Sequence, residues 1–118
     1  MTAVLVQGKA TVSGNTFTGI GEKQRHAVWI WEGSSATIPD NSFEGYRAAV
    51  NATKATVIIK GNEISRFQGS AIIVKESPEP VHVFGNTGVS TDSKAKIVDM
   101  PGSTGTIENY VLKGKQQP

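Results

Sequence analysis

The stretches GNTF (14–17), DNSF (40–43), GNEI (61–64) and GNTG (85–88) have nearly the same sequence, and ENYV (108–111) is a weaker fifth copy. Successive copies begin 21 to 26 residues apart, as the positions of their asparagines show: Asn15, Asn41, Asn62, Asn86 and Asn109. A repeat with a period in the low twenties is typical of a solenoid, in which each repeat forms one coil of the chain.

Each repeat contains three short segments with the pattern of a β-strand. Apolar side chains alternate with a more variable set, as expected for a strand with one buried face. The inward positions five and three residues before each asparagine are Ala10/Val12, Ala36/Ile38, Val57/Ile59, Val81/Val83 and Thr104/Thr106. Two residues after it come Phe17, Phe43, Ile64, Gly88 and Val111. The third segments are AVLVQG (3–8), AVWIWE (27–32), AAVNAT (48–53), AIIVKE (71–76) and AKIVDM (95–100).

Three strands per coil predict three parallel sheets and almost no helix. The fold class is therefore all-β, a single-stranded right-handed parallel β-helix, because parallel crossovers are almost always right-handed. We expect one domain over residues 1–118, with coils from about 3 to 112 and a polar tail over 113–118. The irregular, polar C-terminal sequence, in which Lys96 occupies a nominally inward position, predicts a cap on the last coil.

The recurrent asparagines predict a structural ladder at one corner of the coil. Asparagine tolerates the left-handed backbone conformation of a tight bend, and its amide provides two donors and an acceptor. Stacked amides satisfy backbone groups that would otherwise be buried without partners. The ladder is expected to contain all five of these side chains, from Asn15 to Asn109.

Composition narrows the function only broadly. Twelve basic against ten acidic residues give a net charge of +2, too balanced for non-specific nucleic-acid binding. No apolar run is long enough to span a membrane, and no signal peptide is evident. We expect no metal and no cofactor, and the location is either the cytoplasm or, after removal of a leader, outside it.

The G-N-x-[FI] corners and A-[VI]-x-[VIA] strands, over residues 3 to 112, resemble the pectate-lyase-like right-handed parallel β-helix superfamily. This superfamily includes lyases, hydrolases, epimerases, tailspikes and non-catalytic adhesins, so the resemblance implies the fold and not one activity. Its usual N-terminal capping helix and clustered aspartates have no counterpart here, since Asp40, Asp92 and Asp99 are scattered. A polysaccharide ligand is what the resemblance implies.

The third segments place two columns of side chains on the outside of the solenoid. They are Leu5–Trp29–Asn51–Ile73–Ile97 and Gln7–Trp31–Thr53–Lys75–Asp99. The first column is apolar for a solvent-exposed face, and a contiguous apolar stripe marks an interaction surface. We predict a homo-oligomer interface at Leu5, Trp29, Ile73 and Ile97; cover by another part of the chain and stacking of a ligand are the alternatives.

The first coil has extra residues in GIGEKQRH (19–26), beside the two tryptophans. Lys23, Arg25 and His26, with Trp29, Trp31 and Lys75, form a candidate site for an acidic carbohydrate or a partner. A solvated loop is the simpler interpretation. No catalytic residue is assigned, and the preferred function is a non-catalytic module for self-association and binding. The alternative is a minimal polysaccharide lyase or uronate epimerase using Arg25, His26, Lys75 and Glu76.

Overall fold

A computed structural model describes residues 3–19 and 26–114, and these residues contain fifteen strands and no helix. The strands are β1 (Val4–Val6), β2 (Lys9–Thr11), β3 (Thr16–Thr18), β4 (His26–Ile30), β5 (Ser35–Pro39), β6 (Ser42–Glu44), β7 (Ala48–Thr53), β8 (Thr56–Lys60), β9 (Glu63–Ser65), β10 (Ser70–Lys75), β11 (Val81–Phe84), β12 (Thr87–Ser90), β13 (Lys96–Asp99), β14 (Gly105–Glu108) and β15 (Val111–Gly114). The predicted all-β class is confirmed for this part of the chain.

The strands form three five-stranded sheets in which neighbouring strands are parallel. Sheet A has the order β1-β4-β7-β10-β13, sheet B β2-β5-β8-β11-β14, and sheet C β3-β6-β9-β12-β15. Each strand pairs with the strand three places further along the chain, so one coil consists of one strand from each sheet. Five such coils stack on one another, and the principal-axis extents are 45 × 26 × 22 Å. The predicted parallel β-helix is confirmed.

The core lies between the three sheets, and in the second to fourth coils it consists mainly of the predicted inward side chains. In the last coil the predicted inward residues Thr104, Thr106 and Val111 are exposed, because the register places Gly105, Ile107 and Leu112 at the inward positions. In the central coils the inward residues of all three sheets are buried, as Val50, Val57, Ile59 and Ile64 illustrate. The stacked rings of Phe17 and Phe43, 4.8 Å apart, continue the same column towards the first coil. Alternation places the inward side chains along each strand, except at the start of the strands of sheet A, where two consecutive residues such as Ala71 and Ile72 are both buried.

The asparagine ladder joins the first four coils at the corner between sheets B and C. The backbone N–H of Asn15 donates to Oδ1 of Asn41 at 2.9 Å, and Asn41 donates in the same way to Asn62 at 2.8 Å. Asn62 donates to Asn86 at 3.0 Å, and each Nδ2 group donates to the same Oδ1 atoms. The last three amides also donate to the strand of the preceding coil, at Val12, Ile38 and Ile59.

The predicted fifth member, Asn109, is not in the ladder. Its φ of 52° matches the left-handed residues that precede the ladder in the other coils, such as Gly85 with a φ of 70°. The N–H of Gly85 donates to Glu108, and that of Val111 donates to Asn86. These contacts place Tyr110, and not Asn109, above Asn86. The prediction was wrong by one residue because asparagine suits the left-handed position as well as the ladder position.

The predicted outward position of Ile97 is also wrong. Ile97 is 5% exposed, and its Cδ1 atom lies near Gly88 in the core. The register pairs Ile73 with Asp99 instead. The cause is a turn near Asp92 that makes the connection between sheets C and A two residues longer than in the preceding coil. The outer column of sheet A is therefore Leu5–Trp29–Asn51–Ile73–Asp99.

The C-terminal sequence does not form the irregular cap that we predicted. Residues 105–108 and 111–114 form β14 and β15, which pair in register with β11 and β12. The last coil therefore extends to Gly114 rather than to 112, and Lys96 is exposed rather than inward. Every residue of β14 and β15 is exposed, and no further strand of the described part of the chain pairs with them.

Candidate functional site

The outer face of sheet A carries both tryptophans of the chain. Trp29 is in β4 and Trp31 follows its end, two residues further, so both side chains point away from the core while Val28 and Ile30 point into it. Trp29 is 39% exposed and Trp31 44% exposed. We call this surface, formed by Leu5, His26, Trp29, Trp31 and Asn51, the Trp face.

The rings of the Trp face are arranged edge to face. The centroids of Trp29 and Trp31 are 6.4 Å apart with an angle of 65° between the rings. His26 lies 6.4 Å from Trp29 on its other side, at 70°. Leu5 is the neighbour of Trp29 in β1. Edge-to-face contacts hold the indoles in fixed orientations, so part of each ring face remains available to a ligand.

Asn51 adds a polar group to the Trp face. The register places it beside Trp29, and its Nδ2 atom lies 3.4 Å from both ring nitrogens of His26. Its Oδ1 atom is buried and has no hydrogen-bond partner among the described residues. A buried acceptor without a donor is unfavourable, so a small rearrangement that brings a donor to Asn51 would gain a hydrogen bond.

Lys75 and Ile73 lie further along the same outer surface. Asn51 separates Ile73 from Trp29, and Thr53 separates Lys75 from Trp31. Two strand spacings correspond to about 10 Å, so a ligand on Trp31 is within reach of the Lys75 side chain. The structure therefore groups His26, Trp29 and Trp31 closely and leaves Lys75 at the margin.

The described residues of the alternative lyase site, His26, Lys75 and Glu76, are not assembled at one point. His26 and Lys75 are two coils and five strand positions apart, which corresponds to roughly 19 Å between their backbones. Glu76 forms an ion pair with Lys54, with an N–O distance of 3.9 Å. His26 and Lys75 therefore cannot act on the same substrate atom in this conformation. Lys23 and Arg25 lie outside the described residues.

A depression on the outer face of sheet B was not predicted from the sequence. It has a volume of about 330 Å³ and is lined by Lys9, Ala10, Thr11, Ser35, Ala36, Thr37, Thr56 and Ile58. The only sequence signal is a cluster of small and hydroxyl-bearing residues in the first three coils. It is shallow and combines hydroxyl groups with one cation, without aromatic rings.

Neither a metal centre nor a membrane span is found in the part of the chain that the structure describes. Residues 3–19 and 26–114 contain no group of three or more histidine, aspartate or glutamate side chains placed to hold a metal ion. A membrane-spanning helix is likewise absent from these residues.

Comparison with known proteins identifies the fold family. A search of curated proteins found no match, and a search of solved structures found none either. A family model described as "Right handed beta helix region" matches residues 2–117, nearly the whole chain. At the level of the fold, this agrees with the resemblance to the pectate-lyase-like superfamily. Together with the three stacked parallel sheets, the match shows that the chain belongs to the right-handed β-helix family.

Proposed function

We propose that this protein is a non-catalytic binding module that holds a carbohydrate chain on its Trp face. The main support is the pair of exposed indoles, Trp29 and Trp31, fixed edge to face beside the amide of Asn51. The C–H face of a sugar ring packs on an indole, while its hydroxyl groups hydrogen-bond to amide and hydroxyl side chains. Lys75 extends the surface towards a carboxylate on an acidic sugar.

The small size of the apolar surface favours a ligand over a second subunit at this face. Each indole is less than half exposed, which leaves on the order of 100 Å² of accessible surface per tryptophan. A stable protein–protein interface buries about 800 Å² on each partner. With Asp99 in the position predicted for Ile97, the stripe is apolar mainly at Leu5 and Trp29. Self-association through this face remains a prediction.

Tryptophan fluorescence tests the proposal directly, because Trp29 and Trp31 are the only tryptophans in the chain. Titration with neutral oligosaccharides, such as cello- and xylo-oligomers, and with acidic ones, such as oligogalacturonate, is expected to give a saturable change for at least one class. Trp31→Phe retains a ring of smaller area and is expected to weaken binding less than Trp31→Ala, which we expect to raise Kd by about tenfold or more, equivalent to about 1.4 kcal/mol.

Phe84→Ala is a matched control on a different sheet. Phe84 is 38% exposed on sheet B, close to the exposure of Trp29, but it is not on the Trp face. We expect this variant to bind like the parent protein. Equal losses in Phe84→Ala and Trp31→Ala, or no saturable response to any of these sugars, would show that the Trp face does not bind carbohydrate.

A further inference from the structure

We propose that copies of this chain stack head to tail, with the first coil of one copy continuing the last coil of another. One end of the rod presents β1, β2 and β3, and the other presents β13, β14 and β15. Among residues 3–19 and 26–114, each of these strands has a partner on one side only. Their outer backbone groups are available to pair with another parallel strand.

The side-chain columns of the rod continue across such a junction. If β1, β2 and β3 of a second copy pair with β13, β14 and β15 in the existing register, every inward position meets an apolar residue or glycine. The pairs are Val4 on Val98, Val6 on Met100, Ala10 on Gly105, Val12 on Ile107 and Phe17 on Leu112. The contact between the two copies is thus equivalent to the contact between two successive coils within one copy.

The last coil exposes the apolar surface that this junction would bury. Ile107 is 36% exposed and Leu112 is 37% exposed, whereas Val83, the residue equivalent to Ile107 in the preceding coil, is fully buried. Tyr110, 49% exposed, lies at the ladder position of the same coil. A next coil would cover these side chains as the existing coils cover their neighbours.

The polar groups at the two ends are also compatible. In the ladder, each backbone N–H donates to Oδ1 of the asparagine in the next coil. Oδ1 of Asn15 accepts no hydrogen bond from the described residues, and stacking would place it above the N–H of Tyr110. No like charges oppose each other in this register: Lys9 meets Thr104, Ser13 meets Glu108, and Thr18 meets Lys113.

The geometry predicts a weak, open-ended assembly. The two ends are different surfaces, and a head-to-tail contact without a closing rotation produces a filament. Each end consists of the strand edges of a single coil, so we expect a weak contact with less area than the roughly 800 Å² per partner of a typical stable interface. Each added copy would lengthen the filament by five strand spacings, about 24 Å. Trp faces would then recur along the filament and bind a long ligand multivalently.

Sedimentation velocity of the full chain over a hundredfold concentration range tests the proposal. We expect the average mass to rise with concentration and electron microscopy to show rods with the width of one copy. Leu112→Lys and, independently, Ile107→Lys place a charge in the junction and are expected to abolish this rise. Val89→Lys is the matched control, because Val89 is 37% exposed on the outer face of sheet C.

Mixing two blocked variants distinguishes head-to-tail stacking from a symmetric contact. The N–H of Val12 points into the next coil, so that of Thr11 points to the open edge, and Thr11→Pro blocks the first coil. Thr11→Pro and Leu112→Lys each retain one intact end. Each variant alone is expected to be monomeric, and their equimolar mixture is expected to form a dimer.

The outcomes that overturn the proposal are equally specific. Circular dichroism identifies any variant that does not fold, and the conclusion then depends on the other junction variant. A parent protein that stays monomeric at all concentrations refutes the stacking, as does a Val89→Lys variant that is as defective as Leu112→Lys. The stacking does not depend on the proposed function: Trp31→Ala should still assemble, and monomeric Leu112→Lys should still show the fluorescence response to sugar.

Discussion

The third and fifth coils have the same path but very different environments. In the third coil the inward residues Val57, Ile59 and Ile64 are at most 2% exposed. Their counterparts in the fifth coil are Gly105, Ile107 and Leu112, and all three are exposed. The strand pattern directs a side chain to the inside, but in β14 and β15, which have a neighbouring coil on one side only among the described residues, the inward side chains remain exposed.

The same difference separates the two ends of the asparagine ladder. Asn62 has a ladder neighbour on both sides and is 1% exposed, whereas Asn15 is exposed and has a neighbour on one side. The last coil has Tyr110 in the equivalent position. Stability should therefore be concentrated in the middle coils and decrease towards both ends, as expected for a solenoid.

Replacement of Ile97 by alanine is expected to have the largest effect. Ile97 fills the space beside Gly88, where the last two coils meet. We expect Ile97→Ala to lower the free energy of unfolding by about 2–5 kcal/mol, because it leaves a cavity in the core. Ile73→Ala removes the same atoms from an outward position and should cost under about 1 kcal/mol. Urea denaturation of both variants measures the difference, and equal costs would contradict the buried position of Ile97.

This pair of residues also shows where sequence reasoning fails. In the second and third coils, alternation predicted the buried positions of Val28, Ile30 and Val50, because each of these residues lies within a strand that was identified at its correct place in the sequence. The error at Ile97 arose from the two extra residues of the turn near Asp92. The sequence AKIVDM aligns without a gap to AIIVKE, since both begin with alanine and have apolar residues at similar positions. This alignment gives no sign of the two extra residues in the turn.

The candidate site, like the core, was only partly predictable from the sequence. Alternation placed Trp29 and Trp31 outside, and the structure agrees. The contact of His26 with Asn51 was not predicted, because it joins adjacent coils through side chains. The distance of Lys75 from the Trp face likewise depends on how the coils stack. The depression on sheet B depends on the relative sizes of outward side chains on three adjacent strands, β2, β5 and β8, and these strands are far apart in the sequence.

Substitution of ladder asparagines is expected to have the next largest effect and to depend on position. Asn62→Ala removes the acceptor for Asn41 and the donor to Ile38 in a buried corner, so we expect a loss of about 1–3 kcal/mol. Asn15→Ala, at the exposed end, should cost under about 1 kcal/mol. Thermal and urea denaturation of the two variants test the gradient. An Asn62→Ala variant as stable as Asn15→Ala would refute it.

A glycine in the last coil provides a more local test. Gly105 has a φ of 148°, and a Cβ atom there would clash with the backbone of Val81. We expect Gly105→Ala to detach β14 from β11 and to lower the global free energy of unfolding by under about 1 kcal/mol, because the middle coils stay intact. Hydrogen exchange should show faster exchange over residues 105–114 and little change near Ile59. Global unfolding would contradict the independence of the last coil.

The smallest expected effect lies at the turn that shifts the register of the last coil. The N–H groups of Lys94 and Gly69 donate to the Asp92 carboxylate at 2.9 and 2.8 Å, and they hold its pKa below the usual value for aspartate. Because the folded-state pKa is lower than the unfolded one, this contribution to stability is present above the unfolded pKa. It is lost as the pH falls through the folded pKa.

Asp92→Asn should therefore lower Tm slightly at neutral pH and reduce the dependence of Tm on pH below about pH 4. Asp99 is exposed on the outer face of sheet A, so Asp99→Asn serves as the control. An identical acid response in both variants would show that the Asp92 turn does not stabilise the start of the last coil.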